Sequence, residues 1–329
     1  MAGPVPMVEL WRGGLPESAH LGHAVICDAS GAVVEGWGDP DAVIFPRSSC
    51  KMVQALPLVE SGAAAGLSDA RLALACASHQ GAALHVRMVQ RWLADLGLAE
   101  ADLRCGTHEP ADRDERDRLI RAGDGPCQVH NNCSGKHAGF LTLARHLGAG
   151  PEYVAPDHPV QRAAKSAFEA VTGETSPGWG IDGCSAPNFA TTVAGLARAM
   201  AFFAAAQEGG DARSRAAHRL TRAMAAHPEL VAGEGRACTE LMRAMGGQVA
   251  IKTGAEAVFV AIVPEKRLGI ALKIVDGGKR GAEAAITALL VRLGVLDPGH
   301  PATRKFLNPV QRNWRGLETG ELRLAPGFG

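Results

Sequence analysis

Residues 22–39 read GHAVICDASGAVVEGWGD, two apolar runs on either side of Asp28-Ala29-Ser30-Gly31. Turn-forming residues between two such runs are the mark of a β-hairpin. FPRSSCKM follows at residues 45–52 and leads into the apolar run MVQALPLV, so a helix starts directly behind the two strands. From about residue 69 to 228 the texture is helical, in DARLALACA, LHVRMVQRWLADLG, HAGFLTLARHLG, HPVQRAAKSAFEAVTG and NFATTVAGLARAMAFFAAA among others. Several of these segments stop at glycine, as helix C-termini prefer. After Gly247 strands return as QVAIKTG, AVFVAIVP and LGIALKIVD, with EKR as a turn, and GAEAAITALLVRLGVL closes the unit with a helix. Strands at both ends and helices between them predict an α/β (α+β) fold: an antiparallel sheet built from both chain ends and packed by helices, with a helical lobe beside it. The expected division is a single catalytic unit over residues 1–296, with a sheet lobe at about 1–66 and 245–296 and a helical lobe at about 67–244. The Pro- and Gly-rich residues 297–329 read as a C-terminal extension over the surface or across a partner subunit.

Bulk composition removes several classes of function. At 329 residues and 47% hydrophobic, the chain has material for a sizeable core. Lys+Arg and Asp+Glu both count 34, which offers no general attraction to nucleic acid or to an anionic membrane. Aromatics make up 5%, with one tyrosine, which argues against a base-stacking surface. The start, MAGPVPMVELWRGG, lacks a basic segment followed by an apolar one, and no run of about 18 apolar residues occurs, so a cytoplasmic protein is expected. Eight irregularly spaced cysteines are then expected as reduced thiols, core residues or metal ligands.

The chemistry is carried by short polar clusters. Ser48 and Lys51 stand three apart, and on a helix such residues are neighbours while Ser49 and Cys50 point elsewhere. A serine beside a lysine whose amine burial keeps neutral can be an activated nucleophile, although an ordinary capped first turn would show the same pair. Lys252-Thr253-Gly254 lies at the end of one predicted strand, where glycine permits close backbone approach and lysine can face a cleft. S-x-x-K opening a helix and K-T-G on a late strand are the order of the penicillin-recognising serine hydrolases, but the intervening S-D-N is absent. Ser78, in ACASHQG, pairs in this reading with Lys252 as a second serine-lysine couple; a plain helix end is the alternative. Two couples could divide nucleophile activation from proton delivery to a leaving amine. In VHNNCSGKHAGF, Cys133, Lys136 and His137 share one helical face, and GIDGCSAPNF adds Asp182 and Cys184 in a glycine-flanked loop. Cys133 and Cys184 with a nitrogen donor suit zinc, and spacing favours His137 as that donor because a lysine must first lose its proton. Asp182 is the expected anchor for a substrate ammonium. Cys27, Cys76 and Cys238 read as core, His85, His146 and His218 as helix surface, and Asp112–Arg118 as a solvated face.

Taken together, FPRSSCKM, ACASHQG, NNCSGKHAGF, IDGCSAPNF and IKTGAEAVF, in that order, resemble the bacterial L-asparaginase II family, the class 3 asparaginases of the Rhizobium etli type. The likeness runs to about residue 296, and the family is similar in fold to serine β-lactamases and glutaminases. It implies hydrolysis of L-asparagine to L-aspartate and ammonia, with Ser48–Lys51 and Ser78–Lys252 as two catalytic tandems. It also implies zinc held by Cys133, Lys136 and Cys184, here replacing His137 by Lys136, with Asp182 touching the substrate. From the same motifs Arg47, His79, Asn132, His137 and Gly254 are expected as substrate-binding residues. The rival functions are a penicillin-recognising hydrolase, a glutaminase and an amino-acid sensor. A homodimer is the default assembly for an enzyme of this kind.

Overall fold

The computed structural model describes residues 3–329, so Met1 and Ala2 of the expected sheet lobe lie outside the described residues. Its strands are β1 (Val5–Arg12), β2 (Leu15–Cys27), β3 (Val33–Trp37), β4 (Val43–Ile44), β5 (Trp179–Ile181), β6 (Pro187–Phe189), β7 (Thr191–Thr192), β8 (Ala250–Gly254), β9 (Val258–Val263), β10 (Leu268–Ile274), β11 (Val310–Arg312) and β12 (Glu318–Leu324). Eight of them form one antiparallel sheet in the order β11-β12-β1-β2-β10-β9-β8, with β3 paired to β2. β2 is long enough to hold β1 along Leu15–Gly22 and β3 along Ala24–Cys27, while its last residues pair with β10. The expected hairpin is thus β2–β3, and the expected late strands are β8, β9 and β10.

The helices are α1 (Lys51–Gln54), α2 (Leu56–Glu60), α3 (Asp69–Ala75), α4 (Ala83–Asp95), α5 (Arg113–Ala122), α6 (Ser134–His146), α7 (Pro159–Thr172), α8 (Val193–Ala205), α9 (Ala212–Ala226), α10 (Pro228–Val231), α11 (Ala237–Ala244), α12 (Lys279–Arg292) and α13 (Pro301–Leu307). α8 and α12 cover the two faces of the sheet, which is why all six residues of β9, VFVAIV, are buried. A central strand covered on both faces has no use for the alternating polar residues of a half-exposed one. Gly269 on β10 lets α8 come close, since a Cβ there would meet the Ala201 nitrogen at 2.0 Å. α1–α4, α6, α7 and α9 pack on one another beside the sheet as the helical lobe.

Residues 297–329 are not an appendage. β12 pairs with β1 from Val8↔Leu324 to Trp11↔Glu321, Leu322 is fully buried, and the Phe328 ring meets Trp37 edge-on at 5.3 Å. The sequence reading misses this because β1 and β12 have irregular alternation and β12 reaches the main sheet only through β1, more than three hundred residues away. Among the described residues no helix is long and apolar enough to cross a membrane.

Candidate active site

A cavity of about 440 Å³ opens between the lobes, and Ser48, Ser78, Cys133, Asp182, Cys184 and Gly254 are among the residues on its wall. Ser48 belongs to a 3-10 turn, Arg47–Cys50, that runs into α1. Arg47 enters that turn at φ 52°, a left-handed conformation that costs a non-glycine residue about 1–3 kcal/mol. Its partners hold it there: its backbone N–H donates to Asn188 Oδ1 at 3.2 Å and its guanidinium to Asp182 Oδ1 at 2.8 Å. Gly254, at the end of β8, allows the strand to lie against this turn, because a Cβ would meet Pro46 O at 2.5 Å and Ser49 N at 2.7 Å. The glycine of K-T-G thus does what its type predicts.

Both lysines of the expected tandems converge on one serine. Lys252 Nζ donates to Ser78 Oγ at 2.8 Å and to Thr253 O at 2.7 Å. Lys51 Nζ reaches the same Ser78 Oγ at 3.0 Å, together with Ala77 O and Cys133 Sγ at 3.1 Å. The expected Ser48–Lys51 contact is not formed: among the described residues no hydrogen bond joins their side chains. The i, i+3 argument assumes a regular α-helix, whereas the 3-10 turn leaves Ser48 half-buried on the cavity wall and sends Lys51 inward. Burial, reinforced by the positive charge of Lys51, lowers Lys252 to about 7. Near neutrality Lys252 is therefore divided between amine and ammonium. Ser78, 8% exposed, is fixed by its own N–H on Val231 O at 2.9 Å.

Next to it, joined through the contact of Lys51 with Cys133, lies a second buried cluster. Lys136 Nζ is 3.0 Å from Cys184 Sγ, and the neighbouring Cys133 thiol donates to Asn132 Oδ1 at 3.0 Å. The two thiols are pushed in opposite directions: the contact with Cys133 and the nearby Lys136 ammonium pull Cys184 well down, against burial. Cys133 moves up, through its contact with Cys184 and by burial. Burial alone would lower Lys136, but the Cys184 and Cys133 sulfurs outweigh it and raise the ammonium above its ordinary value. Two sulfurs and one lysine nitrogen thus meet at the cavity wall, and this donor set fits a thiophilic ion such as zinc. The fit needs lysine as a ligand, since among the described residues no group of three or more His, Cys, Asp or Glu is placed to hold a metal.

Several expected contacts fall elsewhere. Arg47, Asn132, Asp182 and Gly254 do line the cavity, but His79 and His137 do not. His79 is buried against His85, their rings stacked with centroids 4.7 Å apart, and bonds to Ser134 Oγ at 2.9 Å. Burial and then His85 hold it neutral. His137 turns Nδ1 to the Tyr153 hydroxyl at 2.9 Å, behind the thiols. His85 is not a surface residue either; at 1% exposure its Nε2 donates to Glu229 O at 2.9 Å from inside the helical lobe. Asp182 is already held by Arg47. Cys27, Cys76 and Cys238 are core as expected, and all eight cysteines are free thiols. Thr107, His108, Arg236, Glu256 and Lys279 also line the cavity, and sequence spacing assigns none of them. They come from loops and element ends whose convergence no periodicity records.

Residues 8–324 match the family model for L-asparaginase II, and the chain belongs to that family of amidohydrolases. No curated protein matches it. Among solved structures it is similar to Mglu in its native form, at 16% identity, covering 85% of this chain and 66% of that one with a TM-score of 0.48. It is also similar to Mglu in its tris and glutamate form, at 15% identity, 88% and 63% coverage and a TM-score of 0.49. A β-lactamase from Mycobacterium bovis is a further likeness, at 14% identity, 84% and 95% coverage and a TM-score of 0.44. The chain spans about two thirds of the length of the Mglu chains.

Proposed function

We propose that this member of the L-asparaginase II family hydrolyses the side-chain amide of L-asparagine to L-aspartate and ammonia through a serine-bound acyl-enzyme. The observation that carries the reading is the hydrogen-bonded chain Lys252–Ser78–Lys51 at the floor of the cavity, with Lys252 poised near neutrality. With Lys252 neutral, Ser78 passes its proton to Lys252 as it takes one from Lys51. Total charge is unchanged, and Lys51 is left with a lone pair. Ser48, three residues before Lys51, has no hydrogen bond to it in the resting site; in this scheme the Lys51 amine turns to Ser48, which attacks the carboxamide carbon and gives that amine its proton. The tetrahedral oxyanion is held by backbone amides of the Ser48 turn and of the chain after Gly254; one such donor is worth about 10²- to 10³-fold in rate. The relay, run back through Ser78, protonates the departing nitrogen and releases ammonia. A water then takes the place of the amine, and the same groups carry its proton while the ester is cleaved.

Cys133, Cys184 and Lys136 would hold zinc, which when bound supplies a Lewis-acid contact that orients the substrate. Every proton transfer in the scheme belongs to the two serines and two lysines.

One observation favours a second assignment of roles. Ser78 is the hydroxyl hydrogen-bonded to both amines, and among the described residues Ser48 is hydrogen-bonded to neither, so a mechanism with Ser78 as nucleophile and Lys252 as its base is the direct competitor. Glutamine differs from asparagine by one methylene, worth only about 1–3 kcal/mol of discrimination in a pocket. The test is ammonia release from L-asparagine and L-glutamine by the wild type, Ser48→Ala and Ser78→Ala. Release from asparagine that both variants abolish supports the scheme. Turnover retained in Ser48→Ala transfers the attack to Ser78, and release from neither amide removes the assignment.

A further inference from the structure

Five side chains that carry formal charge line the cavity: Arg47, Asp182, Arg236, Glu256 and Lys279, with His108 beside them. Two of the cations are already matched. Arg47 is paired with Asp182 at 2.8 Å, and Lys279 with Glu283 at 3.4 Å. Arg236 and Glu256 form no ion pair among the described residues. Glu283 feels the charge of Arg236 but is held by Lys279. Lys273 feels the charge of Glu256, yet its Nζ donates to the backbone oxygens of Glu256 and Ile274 and not to the carboxylate.

The cavity therefore presents one unmatched cation and one unmatched anion. Arg236 is half-buried at the start of α11, where its planar guanidinium suits a carboxylate. Glu256 is exposed at the turn between β8 and β9. Unmatched charges of opposite sign complement a zwitterion. Building on the proposed amide hydrolysis, we infer that Arg236 binds the α-carboxylate and Glu256 the α-ammonium of an amino-acid amide, so that these two residues restrict the enzyme to α-amino-acid substrates. Asp182, already neutralised by Arg47, keeps the Ser48 turn in place and is not the ammonium anchor. A penicillin, which has a carboxylate but need carry no ammonium, leaves Glu256 unmatched.

Three amides of the same reach separate the contributions: L-asparagine, β-alaninamide, which lacks the α-carboxylate, and succinamate, which lacks the α-ammonium. In Arg236→Gln the preference of kcat/KM for asparagine over β-alaninamide falls by about 10- to 100-fold, the worth of a charge-assisted contact, and Arg236→Lys restores part of it. In Glu256→Gln the preference for asparagine over succinamate falls by about 2- to 5-fold, as suits an exposed pair. A general structural lesion lowers all three substrates together and leaves both ratios where they were, which would overturn the assignment. Calorimetric binding of L-aspartate and of β-alanine to the same proteins gives a readout that does not depend on turnover. Arg236-dependent binding of L-aspartate without hydrolysis of any amide keeps the zwitterion site and removes the hydrolase. Hydrolysis of asparagine with both ratios unmoved keeps the hydrolase and removes the zwitterion site, and absence of both binding and turnover removes the two together.

Discussion

Lys252 and Lys136 are both lysines with almost no exposure, 1% and 3%, set behind the wall of one cavity, and their amines respond to that burial in opposite directions. Lys252 faces the neutral Ser78 hydroxyl and Thr253 carbonyl, with the Lys51 cation beyond, and falls to about 7. Lys136 faces the Cys184 sulfur at 3.0 Å and rises. Desolvation pushes both the same way, so the partner atom decides the sign. A hydroxyl opposite the amine makes a group that changes protonation state near neutral pH. A thiolate opposite it makes a fixed ammonium, which gives up its proton only to something that competes for the sulfur, as a metal does.

The largest effect should come from removing the switchable amine. Lys252→Met is expected to lower kcat for asparagine by about 10²- to 10⁴-fold, the range of general acid–base catalysis. Lys252→Arg should lose as much although it keeps the charge, since arginine does not deprotonate. Substantial activity in the arginine variant would break the comparison, for it would show that Lys252 acts as a fixed cation.

Next in size is the pH dependence. The scheme needs neutral Lys252, so kcat/KM should rise with pH and level off above about 7. Stability carries the same signature with a sign that can be worked out. Between about 7 and the ordinary 10.5, the unfolded chain keeps a proton at Lys252 that the folded chain has lost, so folding stability rises with pH in that window. At Lys136 the folded state is the one that holds its proton more tightly. That contribution is present below the ordinary 10.5 and is lost as pH rises beyond it. Urea titrations across this range should show the rise, and Lys252→Met should flatten it.

Metal dependence is expected to be smaller than the loss of a relay group. The wild type should purify with zinc, while Cys133→Ser and Cys184→Ser do not, and chelation should raise KM for asparagine more than it lowers kcat. Zinc retained by both serine variants would mean that the thiols are not its ligands.

The smallest effect concerns Arg47. Arg47→Gly removes a mostly buried ion pair but also relieves a left-handed residue, so the two contributions oppose each other in urea denaturation. Arg47→Ala keeps the strained backbone position and loses the pair, and should be the less stable of the two.

Much of this molecule could be read from its residues, for physical reasons that differ by region. The β2–β3 hairpin was legible because turn residues separate two apolar runs, and β9 because a strand covered on both faces is apolar throughout. Lys252-Thr253-Gly254 was legible because glycine there is required by contact with the Ser48 turn. The pairing of Lys51 was not, because a 3-10 turn of four residues rotates Ser48 away from the helical register that spacing assumes. The joining of β12 to β1 was missed for a related reason, since it brings together the two ends of the chain. Arg236 and Glu256 lie at an element end and in a turn, and only the folded cavity shows that they are unmatched.

The central claim is that the hydroxyl joined to both lysines relays protons while Ser48 carries the acyl group. The most direct test is to quench the wild-type enzyme during turnover of asparagine, confirm the added mass of one aspartyl group on the intact chain, and map it by peptide analysis. The account predicts an ester on Ser48, accumulating further in variants slowed at hydrolysis of the intermediate. An ester on Ser78, or turnover with no ester on either serine, would contradict it.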